Sequence, residues 1–350
     1  MMPRQLVPGI YAPTQTFFLQ SLSSQLSEGT DLIDAETTAK HAVRLVTAGV
    51  AGLVVNGSNG EAALLCPGER ASVAKITRDA LDAAGFGAVP VIAGASANSV
   101  GGTLALCLEA AHAGADAVLL LPPVFVGGGM GAPGIERYFK LVADESVLPI
   151  VLYNYPAAGG GFDFDSDALV RLSKHPNIIG TKFTCGSIGK MARVIGEIGD
   201  RVVREGYRND GKAKDGSADE SNQLGPYFAF AGVADFIFPS IVVGGTGAIV
   251  GAANVFPRAC VHVYNLAVEG RLCEARKAQQ ALAKADWSLT KRGVPGFKAI
   301  LERFHGYGGS PRSPMAGLSV ESADELCAEI AEFMRFEQTL PTGGHVTKII

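Results

Sequence analysis

Three side chains in this sequence of 350 residues stand where covalent chemistry on a carbonyl could be done. The first is Lys182, in the stretch Asn177-Ile178-Ile179-Gly180-Thr181-Lys182-Phe183-Thr184. The β-branched run reads as a buried strand. A lysine that ends such a strand is either a surface group with a snorkelling stem or a chemical tool. Most strand-end lysines are solvated. Burial, however, lowers a lysine pKa and yields the neutral amine, which attacks a ketone to form a Schiff base. The second is Tyr153, in Tyr153-Asn154-Tyr155-Pro156. A phenol at a strand end can move protons during imine chemistry, although a core tyrosine with its hydroxyl in water is the commoner case. The third is Ser58, in Gly57-Ser58-Asn59-Gly60-Glu61. Hydroxyl, amide and backbone N–H donors between glycines suit an anion such as a carboxylate; an ordinary turn is the competing reading. Glu61 reads as a cap or loop tie in preference to a catalyst. Amine, phenol and anion cradle together describe a Schiff-base site for a 2-oxo acid.

Such a site requires elements that bring distant strand ends together. Short apolar runs alternate with helical spacing along most of the chain. Strands are expected at residues 10–16, 52–55, 89–93, 117–121, 149–153, 177–182, 227–231 and 247–250. Helices are expected between them at 34–48, 67–84, 102–113, 135–144, 165–173, 188–198 and 234–243, with an eighth at 253–269. Eight alternating strands and helices imply parallel pairing with right-handed crossovers, and a closed (β/α)8 TIM barrel. An open doubly wound sheet is the alternative, but no G-x-G-x-x-G follows the first strand. Helical periods at 272–291, 294–304 and 321–337 suggest an appended C-terminal helical bundle. The expected organisation is therefore a catalytic barrel over 7–270 and a helical extension over 271–338. A polar, glycine-containing segment at 204–225 reads as a mobile insertion, and 340–350 as a loose tail.

Composition narrows the classes. The formal net charge is −4, with 47% hydrophobic and 18% charged residues, enough for a large core and without a basic footprint for nucleic acid. There is no apolar run of membrane-spanning length, and residues 1–9 are too short and polar for a secretory signal. Six cysteines and six histidines are scattered. No C-x-x-C pair or one-helix histidine pair occurs, so no metal and no cofactor is expected, and the thiols suit a reducing compartment. The cytoplasm is the expected location, with the mitochondrion open.

The order and spacing of three motifs, Gly57-Ser58-Asn59-Gly60-Glu61, Tyr153-Asn154-Tyr155-Pro156 and Gly180-Thr181-Lys182, give the chain a recognisable pattern. From about residue 7 to 318 it resembles the dihydrodipicolinate synthase / N-acetylneuraminate lyase superfamily of class I pyruvate aldolases. His175-Pro176-Asn177-Ile178-Ile179-Gly180, Gly293-Val294-Pro295-Gly296-Phe297-Lys298 and Gly306-Tyr307-Gly308-Gly309 look most like its 4-hydroxy-2-oxoglutarate aldolase branch. The resemblance implies that Lys182 forms the imine and Tyr153 shuttles the proton. It places Ser58 in the relay to Tyr153 and, with Asn59 and Gly57, on the substrate carboxylate. Gly232 and Ile249 complete the expected substrate-binding set. It also implies a homotetramer built as a dimer of dimers.

Two departures bear on mechanism. Pro123-Val124-Phe125 stands where the family often carries a tyrosine that reaches the neighbouring subunit's site, and Phe125 cannot relay a proton. Ala157-Ala158 stands where dihydrodipicolinate synthases carry an arginine for a second carboxylate. The leading expectation is cleavage of a 4-hydroxy-2-oxoglutarate-like acid to pyruvate plus an aldehyde or oxo acid. The alternatives are a 2-keto-3-deoxy sugar acid aldolase or dehydratase, and a silent member that binds 2-oxo acids.

Overall fold

A computed structural model describes residues 3–19, 33–66, 68–204 and 224–343. The insertion expected at 204–225 falls outside them except at its ends, as do Pro67 and the tail beyond residue 343.

The eight strands are β1 (Gly9–Pro13), β2 (Gly52–Val55), β3 (Val91–Gly94), β4 (Ala117–Leu120), β5 (Ile150–Asn154), β6 (Ile178–Phe183), β7 (Phe228–Ala231) and β8 (Gly247–Ile249). They form a closed barrel in chain order, every pair parallel, and β1 seals it by pairing Gly9, Ile10 and Tyr11 with Gly247, Ala248 and Ile249 of β8. Closure leaves no sheet edge unpaired. Successive side chains alternate between two apolar bodies. Tyr11, Val54, Ile92, Leu119, Val151 and Phe230 fill the barrel interior. Their strand neighbours, such as Leu53, Val118 and Leu152, pack outward against the helices.

The barrel helices are α1 (Ala35–Thr47), α2 (Glu69–Ala83), α3 (Val100–His112), α4 (Val124–Glu145), α5 (Ser166–Ser173), α6 (Ile188–Ile198), α7 (Ile237–Val242) and α8 (Pro257–Val268). Several boundaries differ from the periodicity. β1 stops at Pro13, and Thr14 keeps only an N–H bond to Val54 O (2.9 Å). α2 starts beyond Gly68, whose φ of 83° makes the entry, so no first-turn proline opens it. Ser99 caps Gly102 N–H and lets α3 begin at Val100. α4 begins eleven residues earlier than the apolar spacing suggests, directly after Pro123, and breaks at Gly131 (φ 61°). Its glycine-rich first turns have no apolar stripe to reveal them, and Asn98 Oδ1 caps them by accepting from Phe125 N–H (2.9 Å). Single 3-10 turns at Ala234–Phe236 and Gly251–Asn254 precede α7 and α8.

The appended helices α9 (Leu272–Thr290), α10 (Gly293–His305) and α11 (Val320–Thr339) satisfy polar groups that the barrel leaves open. Gln279 of α9 donates to Ala234 O (2.8 Å) and accepts from Phe238 N–H (2.8 Å). Glu337 of α11 caps the start of α8 by accepting from Arg258 N–H (3.0 Å) and Ala259 N–H (2.7 Å). Asp286 of α9 accepts from the backbone of Ala234 and Asp235, and burial, aided by Asp235, pushes its pKa from 3.8 to about 7.

Between those two values the unfolded chain is ionised at this position while the folded chain holds a proton. The Asp286 contribution to stability is therefore present in full below about pH 4 and is lost as pH rises through about 7. Asp286→Asn cannot ionise and should flatten the fall in thermal stability across that window. An unchanged slope in melts at a series of pH values would assign the fall to other groups.

Candidate active site

Lys182 reaches the interior because β6 is irregular. The β5–β6 register shifts between Ile150, opposite Ile178, and Val151, opposite Gly180. The extra residue, Ile179, resets the alternation, and from there Tyr153 lies opposite Lys182, which lies opposite Phe230. Gly180 is required one step below. A Cβ at that position would stand 2.5 Å from Phe228 O and 3.1 Å from Phe228 Cβ.

The Lys182 side chain ends beneath Tyr153, its Nζ 4.2 Å from the ring centroid. Lys182 is 3% exposed and burial alone pulls its pKa from 10.5 to about 7. Among the described residues no carboxylate pairs with it. Tyr153 is buried, and its Oη lies 3.1 Å from Ser58 Oγ. Burial pushes the phenol up to about 12, against the hydroxyls of Ser58 and Thr184. Near neutral pH the pair is thus an amine that is substantially neutral beside a phenol that keeps its proton. Tyr155 stacks on Tyr153 (centroids 5.6 Å, 27°).

Ser58 sits in a tight turn after β2. Gly60 N–H and Ala62 N–H donate to Gly57 O (3.1 and 3.3 Å), and Glu61 N–H donates to Ser58 O (3.2 Å). The N–H groups of Ser58 and Asn59 are not among the donors of that turn. A cavity of about 790 Å³ opens at the strand ends, with Gly57, Ser58, Tyr153, Leu121, Pro122 and Ala158 in its wall. It also reaches Arg70, Ser96, Asn98 and Glu109 between α2 and α3.

The structure therefore brings Lys182 beneath Tyr153 and Tyr153 against Ser58; Tyr153, Ser58 and Gly57 line the cavity, while Lys182 is not part of its wall. The remaining expected residues lie around this group. Asn59 packs where Gly251 meets Phe297 of α10: a Cβ on Gly251 would be 3.2 Å from both Asn59 Nδ2 and Phe297 Cζ. Gly232 follows β7 and backs onto Thr184, whose Oγ1 would be 2.0 Å from a Cβ there. Ile249 is fully buried in the barrel interior cluster that includes Tyr153. Phe125 is 89% exposed on the first turn of α4. Sequence reasoning missed Thr184, Arg70 and Glu109. Thr184 was detectable as the second residue after Lys182; Arg70 and Glu109 carry no local signal, since helix packing alone brings them to the cavity.

Comparison with known proteins places this geometry. The family model described as the dihydrodipicolinate synthetase family matches residues 22–210 and 220–333. The chain belongs to that family. An L-threo-3-deoxy-hexylosonate aldolase from Aspergillus niger is 44% identical, over 96% of this chain and 98% of the relative. An aldolase of the same description from Hypocrea jecorina is 45% identical over 97% and 100%. A protein from Emericella nidulans described as "Probable 4-hydroxy-2-oxoglutarate aldolase, mitochondrial" is 40% identical over 97% and 99%. Among solved structures, a dihydrodipicolinate synthase family protein from Coccidioides immitis superimposes with a TM-score of 0.76 at 30% identity, covering 97% of this chain and 100% of the other. A family member from E. coli K12, solved in complex with pyruvate, gives 0.77 at 25% identity over 95% and 99%. Membership makes the chain a carbon–carbon lyase of the aldolase kind on the (β/α)8 barrel of that family. Among the described residues no helix is long and apolar enough to cross a membrane.

The Lys182 geometry predicts a pH profile. Reductive trapping of pyruvate on the protein should accelerate as pH rises through about 7, where the amine loses its proton, and then level off. A trapping rate that keeps climbing toward the ordinary lysine value of 10.5 would mean that Lys182 is solvated.

Proposed function

We propose that this chain is a Schiff-base-forming class I aldolase that cleaves a 4-hydroxy-2-oxo acid and releases pyruvate. The observation that carries this reading is the buried Lys182 amine, pKa about 7, beneath a phenol coupled to Ser58. Lys182 Nζ adds to the C2 carbonyl of the substrate, and loss of water gives the protonated imine. The C4 hydroxyl passes its proton to Tyr153 as Tyr153 passes its own toward Ser58 or water. The C3–C4 bond breaks and its electron pair moves into the imine, leaving an enamine on Lys182 and a free aldehyde. Protonation at C3 and hydrolysis return the amine and release pyruvate. Ser58, Asn59 and Gly57 hold the substrate carboxylate, and Gly232 and Ile249 back the pocket. With Phe125 on the outside of α4, the relay within this chain runs through Tyr153 and Ser58, with Tyr155 stacked behind.

For the substrate tail we infer a 3-deoxy-hexulosonate, itself a 4-hydroxy-2-oxo acid, so that the second product is a three-carbon hydroxyaldehyde. Two observations support it. The relatives at 44% and 45% identity are described as aldolases of that sugar acid. Ala158 lines the cavity in a stretch, Ala157-Ala158, that offers no cation to a second carboxylate. A 4-hydroxy-2-oxoglutarate-type dicarboxylate is the second reading. It is favoured by Arg70 in the same cavity wall and by the relative at 40%. The homotetramer belongs to the same proposal; the exposed apolar row Val124, Phe125 and Val126 beside the cavity supports an interface there. Six free thiols support a reducing compartment.

The test is turnover of both substrates with identification of the aldehyde, together with mass mapping after borohydride. Pyruvate should be trapped on Lys182, and Lys182→Ala should trap none. Label on another peptide would overturn the assignment. Tyr153→Phe should lower turnover by about 10²–10⁴-fold, the usual contribution of a general acid–base group, while pyruvate is still trapped on Lys182. Near-full turnover in Tyr153→Phe would move the relay to Tyr155, Ser58 or water.

A further inference from the structure

The turn that carries Ser58 and Asn59 ends in Glu61, which adopts a left-handed conformation (φ 56°, ψ 31°) that residues other than glycine seldom take. Its carboxylate is fully buried and both oxygens are engaged by the C-terminal extension. Oε1 lies 2.6 Å from Lys298 Nζ of α10, with both side chains 0% exposed. Oε2 accepts from the backbone N–H of Arg312 (2.7 Å), in the segment between α10 and α11. Lys298 Nζ also donates to Ser310 O (3.0 Å). The Arg312 guanidinium pairs with Glu69 at the start of α2 (2.9 Å from Nη2 to Oε1), and Glu69 accepts from Cys66 N–H (2.5 Å). Both cations lie over the Phe18 ring, Lys298 Nζ 4.5 Å and Arg312 Cζ 4.3 Å from its centroid. The preceding residue of α10, Phe297, lies against Gly251, which Asn59 also flanks. One appended helix therefore grips the turn at Glu61 through Lys298 and brings Phe297 to Gly251, beside Asn59.

A buried ion pair is a poor way to gain stability. The desolvation of both charges offsets most of their attraction, and a well-packed apolar pair serves as well or better. What the pair does supply is direction, because a carboxylate bound at both oxygens fixes where its backbone lies. Lys298 and Glu69 carry opposite environmental effects. Burial lowers the Lys298 pKa against the pull of Glu61, while Arg312 and Cys66 overcome burial and hold Glu69 below its ordinary value. We propose that Glu61 is a positioning residue for the substrate-carboxylate turn, and that Lys298 and Arg312 of the C-terminal extension set the position of Ser58 and Asn59 through it. The extension is thereby part of the binding site without touching substrate. This inference rests on the reading that Ser58 and Asn59 hold the carboxylate of a 2-oxo acid.

The experiment measures pyruvate trapping by borohydride as a function of pyruvate concentration, with a thermal melt of each protein. The variants are Glu61→Gln, which keeps the shape, and Glu61→Gln combined with Lys298→Met, which removes both buried charges together. In each the half-saturating pyruvate concentration should rise at least about tenfold, since a displacement near 1 Å in a site costs on the order of 10²-fold. The saturating trapping rate and its pH midpoint, both set by Lys182, should move less than about threefold. A purely structural role would lower the melting temperature and leave the half-saturating concentration unchanged. That result in either variant overturns the inference. A wild-type protein that traps no pyruvate removes the functional reading and this inference with it; a wild type that traps it beside variants that saturate normally removes this inference alone.

Discussion

The desolvation of one amine is the constraint around which the barrel is arranged. Lys182 has no carboxylate partner among the described residues, so no anion offsets the loss of water, and its pKa settles at about 7. The unfolded chain would bind a proton there up to about 10.5. Between those values it holds more protons than the folded chain, so the cost of keeping this lysine falls as pH rises through that window. Near neutral pH the fold carries that cost, and the surrounding packing has to meet it. Closure of β1 on β8, the register shift in β6 and the absence of a side chain at Gly180 all serve to keep the amine inside and dry.

Much of this was legible in the sequence. The alternation of short β-branched strands with helical periods gave all eight strands, because the buried parallel strands of a barrel are continuous apolar runs. Lys182, Tyr153 and Ser58 were legible because strand ends at the C-terminal face converge in such a fold. Other features were not. The β6 register shift depends on how Ile179 fits beside β5, which no local pattern encodes. The first turns of α4 are rich in glycine and read as loop, while their cap, Asn98, comes from a segment more than twenty residues away in sequence. The place of Asn59 between glycines marks it as a donor; that it flanks Gly251 opposite Phe297 depends on how α10 returns across the barrel mouth.

The same limit applies to the C-terminal helices. Their periods were visible, and they read as an addition. In the folded chain they finish the barrel's polar accounting: Glu337 and Asp286 supply acceptors for backbone N–H groups, and Gln279 supplies both a donor and an acceptor. Helix starts and turns that lack local caps need such partners, since a buried N–H without an acceptor is costly. A barrel cut at the end of α8 would leave those groups open and the turn after β2 without its outer support.

Three buried lysines make the chemical distinction clear. Lys190 of α6 reaches Asp163, and Lys298 of α10 reaches Glu61. Each of these amines has a carboxylate beside it, and at Lys298 the pull of Glu61 opposes the lowering that burial causes. Lys182 has an aromatic face in place of a carboxylate. A ring face attracts a cation too, but at this site desolvation outweighs it, and the amine is lowered. What sets Lys182 apart from the other two is burial without a carboxylate at the nitrogen. In sequence the three look alike, each a lysine in a largely apolar segment. What separates them is which distant residue the fold delivers to the nitrogen: Asp163 from the loop before α5, Glu61 from the turn after β2, and Tyr153 from the neighbouring strand of the barrel.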